Sequence, residues 1–88
     1  MEAQAIVARN LRKLRVARGL SQEALAVDAE IDRTYVSRLE RGMENPTVAV
    51  LDRIANALSI KIVDLFEPPL PGEKPPAVLP NGRRRKQS

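Results

Sequence analysis

From Leu20 to Gly42 the segment LSQEALAVDAEIDRTYVSRLERG reads as two short helices joined by a tight turn. The second helix has two faces that cannot both be buried. At 3.6 residues per turn, Ile31, Tyr35, Val36 and Leu39 fall on one side, while Arg33, Thr34, Ser37, Arg38 and Arg41 fall within an arc of roughly 140° on the other. One face is a core stripe, and the other is a strip of hydrogen-bond donors with three guanidinium groups. A fold that holds this helix must anchor it along one side and leave the other open.

The chain has 88 residues, enough for one domain with a small core. Its only aromatic residues are Tyr35 and Phe66, so the core must be aliphatic, which suits packed helices better than a sheet. There is no Cys and no His, which removes thiol and imidazole chemistry and the usual soft metal ligands. No nucleophile–base pair, phosphate loop or metal-ligand cluster stands out, so neither an enzyme activity nor a metal or cofactor is expected. MEAQAIVARN lacks the basic and then apolar pattern of a signal peptide, and apolar runs such as Val48 to Leu51 are far too short to span a bilayer. A soluble, cytoplasmic, nucleoid-associated protein is expected.

The formal net charge is +4. Residues 1–67 hold equal numbers of basic and acidic side chains. The excess comes from Lys74, Arg83, Arg84, Arg85 and Lys86, opposed only by Glu73. The basic balance is thus a property of the tail. Within the domain, placement is more informative than the total: Arg9, Arg12, Lys13, Arg15 and Arg18 crowd the first helix, and acids cluster at Asp28, Glu30 and Asp32.

Five helices are expected, giving an all-α domain over residues 1–67. The first runs from about Ala3 to Arg18, with Val7, Leu11 and Leu14 as its buried stripe and Gly19 closing it. Ser21 caps a second helix through Ala29, with Leu25, Ala26 and Ala29 on its inner side. Asp32 caps the third, which ends at Arg41 before Gly42. Thr47 caps a fourth in which Val48, Leu51, Ile54, Ala55 and Leu58 repeat at helical spacing, and a short fifth covers Ile62–Phe66. Residues 68–88 contain six of the seven prolines and no helical period, and read as a flexible Pro-rich basic tail.

GLSQEALA, RTYVSRLERG, NPT and ANALSIKIVDLF, in this order and spacing, resemble the phage-repressor and Cro-like helix-turn-helix family, often called XRE-like. The resemblance covers about residues 6 to 66. It implies a five-helix, lambda-repressor-like bundle, with residues 21–29 as positioning helix and 32–41 as recognition helix in the major groove of double-stranded DNA. It implies base contacts from Arg33, Thr34, Ser37 and Arg38, which are also outward residues; Arg pairs bidentately with guanine, and Thr offers a methyl or a hydroxyl. It further implies a phosphate contact from Gln22, where free N–H groups at a helix start favour an anion. Asn45, Thr47 and, near the helix end, Arg41 are expected to do the same. The family pairs an acid on helix three with an Arg late in helix one, here Glu40 with Arg15, as structural support. Three positions depart from its pattern: Glu30 and Ser59 stand where Gly is usual, and Lys61 replaces a common Ser or Thr cap.

Two-fold dimers read paired half-sites about one helical turn apart, and the expected dimer surface is Ile62, Leu65, Phe66 and Leu70. Arg83, Arg84, Arg85 and Lys86 are expected to add non-specific contact with the DNA backbone. The expected function is a small transcriptional regulator, most simply a repressor. A restriction-modification controller and an autoregulating antitoxin share the same logic. A protein-bridging module that keeps the fold without reading bases is the competing class.

Overall fold

The computed structural model describes residues 2–70 and 72. Helix α1 spans Ala3–Ala17, α2 Gln22–Ala29, α3 Arg33–Glu40 and α4 Val48–Leu58, followed by a 3-10 helix at Ile62–Phe66. There is no strand among the described residues, and no helix there is long and apolar enough to cross a membrane. The expected fifth helix is therefore one short piece of 3-10 helix on a four-helix framework. Five residues are too few to sustain an isolated α-helix, and the tighter i→i+3 bond suits so short a run. Its start is closed by Asp64, whose Oδ2 accepts from the Lys61 N–H at 3.1 Å. The Arg83–Lys86 run, like the rest of the expected tail beyond residue 72, lies outside the described residues.

Local signals account for most helix starts. Ser21 Oγ accepts from Ala24 N–H at 3.0 Å and Thr47 Oγ1 from Val50 N–H at 3.1 Å, each satisfying a donor that the helix leaves open. Asp32 occupies the cap position of α3, but its side chain makes no capping bond, so it starts the helix by backbone geometry and negative charge alone.

All four α-helices end in the same way. The N–H pairs Gly19→Val16 O and Leu20→Arg15 O, Glu30→Val27 O and Ile31→Ala26 O, Gly42→Leu39 O and Met43→Arg38 O, and Ser59→Asn56 O and Ile60→Ala55 O lie at 2.9–3.2 Å. Each is the doubled closure that needs one left-handed residue. That residue is Gly19 (φ 72°), Glu30 (59°), Gly42 (72°) and Ser59 (57°) in turn. The residue that follows each reversal is apolar, and Leu20, Ile31 and Ile60 pack back on the core.

The core is aliphatic. Leu11, Leu25, Val36, Ile54, Leu58 and Leu65 are all sealed from solvent, with Val7, Ala26, Ala29, Leu39, Leu51 and Ala55 around them. Helix α1 packs on α3 and on the 3-10 helix, while α2 packs on α3 and α4, so α3 is held from behind by two neighbours. Val48, expected in the α4 stripe, is instead 74% exposed; it is the first helical residue, and the packed side of α4 begins at Val50 and Leu51. Leu65, expected on a dimer surface, is wholly buried in the monomer core. Asn10, on the buried side of α1, donates from Nδ2 to Leu65 O at 3.0 Å and to Glu67 O at 2.8 Å, pinning the end of the 3-10 helix to α1.

Candidate nucleic-acid interface

The packing of α3 sorts its side chains as its period demands. Val36 and Leu39 are buried and Tyr35 is half-buried, whereas Arg33 and Thr34 are exposed and Ser37 and Arg38 are partly covered. Arg41, the residue that closes α3, is exposed. The four residues proposed for base contact thus share one open side of a two-turn helix.

Glu40 faces the other way, and its side chain has no solvent exposure. Arg15 Nε donates to its Oε2, and Arg15 Nη2 donates to Oε1 at 3.0 Å, a bidentate fork of guanidinium on carboxylate. The third arm of that guanidinium, Nη1, donates to Leu20 O at 2.7 Å in the turn after α1. Gln22 Nε2 reaches Glu40 Oε1 at 3.1 Å, and Arg12 Nε lies 3.5 Å from the same oxygen. One carboxylate therefore gathers α1, the start of α2 and the end of α3.

Gln22, expected at a phosphate, is already oriented by this network. Its amide has two N–H donors, and the bond to Glu40 uses one. Asn45 and Thr47 are exposed on the loop into α4, although the Thr47 hydroxyl is also the α4 cap. Of the expected dimer residues, Ile62 packs on the core, Phe66 is 44% exposed and Leu70 is 73% exposed. Val63, which no pattern singled out, adds a further exposed apolar side chain.

Helical periodicity also missed Glu44. Its Oε2 accepts from Arg38 Nε at 2.7 Å, and its carbonyl accepts from Gln4 Nε2 at 3.0 Å. Glu44 also acts on Tyr35: burial, and then the nearby Glu44 carboxylate, raise the phenol above its ordinary pKa of 10.0. The spacing from Arg38 crosses the reversal at Gly42, so no pattern within one element reveals the pair.

Two adjacent helices crossing through a tight left-handed turn, the second open along one polar side, define a helix-turn-helix protein. Residues 11–65 match the helix-turn-helix family HTH_3, and the chain belongs to that family. It is similar to the "Uncharacterized HTH-type transcriptional regulator y4dJ" of Sinorhizobium fredii, 38% identical over 68 residues that cover 77% of this chain and 88% of that protein. It is also similar to the "Neisseria hypothetical transcription factor" of Neisseria meningitidis, 40% identical over 68 residues. That match covers 77% of this chain and 64% of the relative, so the chain spans less than two thirds of that relative's length. Among solved structures, the restriction-modification controller protein C.AhdI from Aeromonas hydrophila superposes with a TM-score of 0.70 at 41% identity, covering 72% of this chain and 96% of that one.

Proposed function

We propose that this protein is a sequence-specific regulator of transcription that inserts α3 into the major groove of double-stranded DNA. The observation that carries the reading is the open side of α3: Arg33, Thr34, Ser37 and Arg38 face outward from a helix whose opposite side is buried and whose last residue, Glu40, is clamped to α1. Arg33 and Arg38 read guanine through paired N–H bonds, and Thr34 and Ser37 make the shorter contacts. Gln22, Arg41, Asn45 and Thr47 set the register by holding phosphates on either side. The free N–H of the Gln22 amide serves one of them, while its other N–H stays on Glu40. The protein acts as a dimer on an inverted repeat, joined through Phe66, Leu70 and the neighbouring Val63, and represses by occupying the promoter.

Selection of bound duplexes from a random pool, with purified protein near physiological salt, tests this. An enriched inverted repeat with half-sites about one helical turn apart supports the dimeric reader. Arg33→Ala and Arg38→Ala should then relax separate positions of the half-site. Salt-sensitive binding without any enriched sequence overturns the reading and favours a protein-bridging role. A second reading, control of a restriction-modification system, is favoured by the likeness to C.AhdI over nearly that protein's full length. Neighbouring genes for an endonuclease and a methyltransferase, together with enrichment of the protein's own promoter, would support it.

A further inference from the structure

Arg38 does not stand loose on the reading face. Its Nε donates to Glu44 Oε2 at 2.7 Å, and Glu44 belongs to the loop between α3 and α4. That loop is fixed at two further points. Gln4 of α1 donates from Nε2 to the Glu44 carbonyl at 3.0 Å, and Met43 N–H donates to Arg38 O at 2.9 Å. The contacts run from α1 to the loop and from the loop to the arginine. The Glu44 side chain is the more covered partner, 27% exposed against 40% for Arg38, so the anchored end of the pair is the carboxylate.

An ordinary exposed ion pair does little. This one differs because the arginine it holds is a proposed base reader. A free arginine must give up much rotamer freedom when it meets a base, and one already held by its Nε has less to lose. Contact through Nε also preserves the Nη1–Nη2 edge of the guanidinium, whose two parallel N–H groups match guanine O6 and N7. The carboxylate has a second consequence. Placed beside the DNA-facing side, it repels phosphate and weakens binding to DNA of any sequence.

Resting on the reading of Arg38 as a base contact, we propose that Glu44 is a positioning residue for base recognition. It sets the guanidinium of Arg38 for guanine, and Gln4 fixes the loop carbonyl from which Glu44 is presented. Loss of Glu44 then has two opposed effects: weaker discrimination at a single base position and tighter binding to unrelated DNA. A merely structural role produces neither combination.

The test uses the full chain, the duplex that it selects, a set of single-base-pair replacements across one half-site, and one unrelated duplex. Arg38→Ala identifies the position that Arg38 reads. Glu44→Ala should reduce discrimination at that same position by roughly threefold to tenfold, part of the loss expected for a whole bidentate contact, and leave the other positions unchanged. Its affinity for the unrelated duplex should rise about twofold or more at low salt. Glu44→Gln, which keeps the shape and an acceptor but removes the charge, should lose less discrimination than Glu44→Ala while gaining as much affinity for the unrelated duplex, and it serves as the comparison if Glu44→Ala folds poorly. Gln4→Ala should lower discrimination at that same position by a smaller factor. If Arg38→Ala relaxes a position and the Glu44 variants leave it untouched, the positioning role is wrong while the base contact stands. If Arg38→Ala relaxes no position, the base contact and the role of Glu44 fall together.

Discussion

Glu40 is a carboxylate in the protein interior that three side chains from two other helices contact. Such a group is costly to strand: removing one partner of a buried pair typically costs about 3–5 kcal/mol. Each kcal/mol shifts the melting temperature of a domain this small by roughly 4–8 °C. Arg15→Ala should therefore lower the midpoint of a thermal melt followed by circular dichroism by more than about 10 °C. An Arg15→Met, Glu40→Met double variant should recover most of that loss, which would assign it to the stranded carboxylate and not to lost packing. Tyr35 offers an independent probe, because it is the chain's only tyrosine. Its folded pKa is raised above 10.0, first by burial and then by Glu44. The folded protein holds this proton more tightly than the unfolded chain does. The resulting stability is fully present below the unfolded pKa and is lost as pH rises through the raised folded value. Phenolate absorbance should show a midpoint above that of a free tyrosine, and Glu44→Gln should bring it down part of the way, since burial remains.

The helix ends are one repeated device filled with different residues. Left-handed backbone costs a residue with a Cβ on the order of 1 kcal/mol, and the chain accepts it at Glu30 and Ser59. Glu30→Gly should stabilise the domain by up to about 1 kcal/mol, read as an upward shift of the urea midpoint at constant slope. Gly19→Ala and Gly42→Ala should each move it the other way. A Cβ at either glycine would meet nothing within 4 Å, so the whole loss would come from backbone conformation. These elements also mark how far the sequence could be read. Helix extents, the Ser21 and Thr47 caps and the outward set on α3 follow from spacings of three or four residues, which the chain displays directly. The 3-10 geometry at Ile62–Phe66 and the burial of Leu65 were hidden, because both depend on how that segment lies against α1 and α4. Asn10 was hidden for the same reason: its bonds to Leu65 and Glu67 join points 55 and 57 residues apart. The Arg38–Glu44 pair spans a chain reversal, and its Gln4 support comes from 40 residues away.

At the scale of the whole molecule, charge is unevenly shared along the chain. The formal charge of +4 resides in residues 68–88, while the domain before them is balanced. Deleting residues 82–88 should flatten the dependence of DNA affinity on salt without changing the preferred sequence; an altered consensus for the truncated protein would overturn this division. A second division runs through α3 itself. The groups that hold this helix in place, Val36, Leu39 and Glu40, are buried, and Arg33, Thr34 and Ser37 on its far side make none of the side-chain bonds that tie it to its neighbours. On the proposed reading of the outward residues, stability and address are written on opposite sides of two helical turns. Descendants of such a chain can drift to new target sites by exchanging a few outward residues while the melting temperature stays nearly still. The residue most resistant to that drift should be Arg38, because changing it would orphan Glu44 as well.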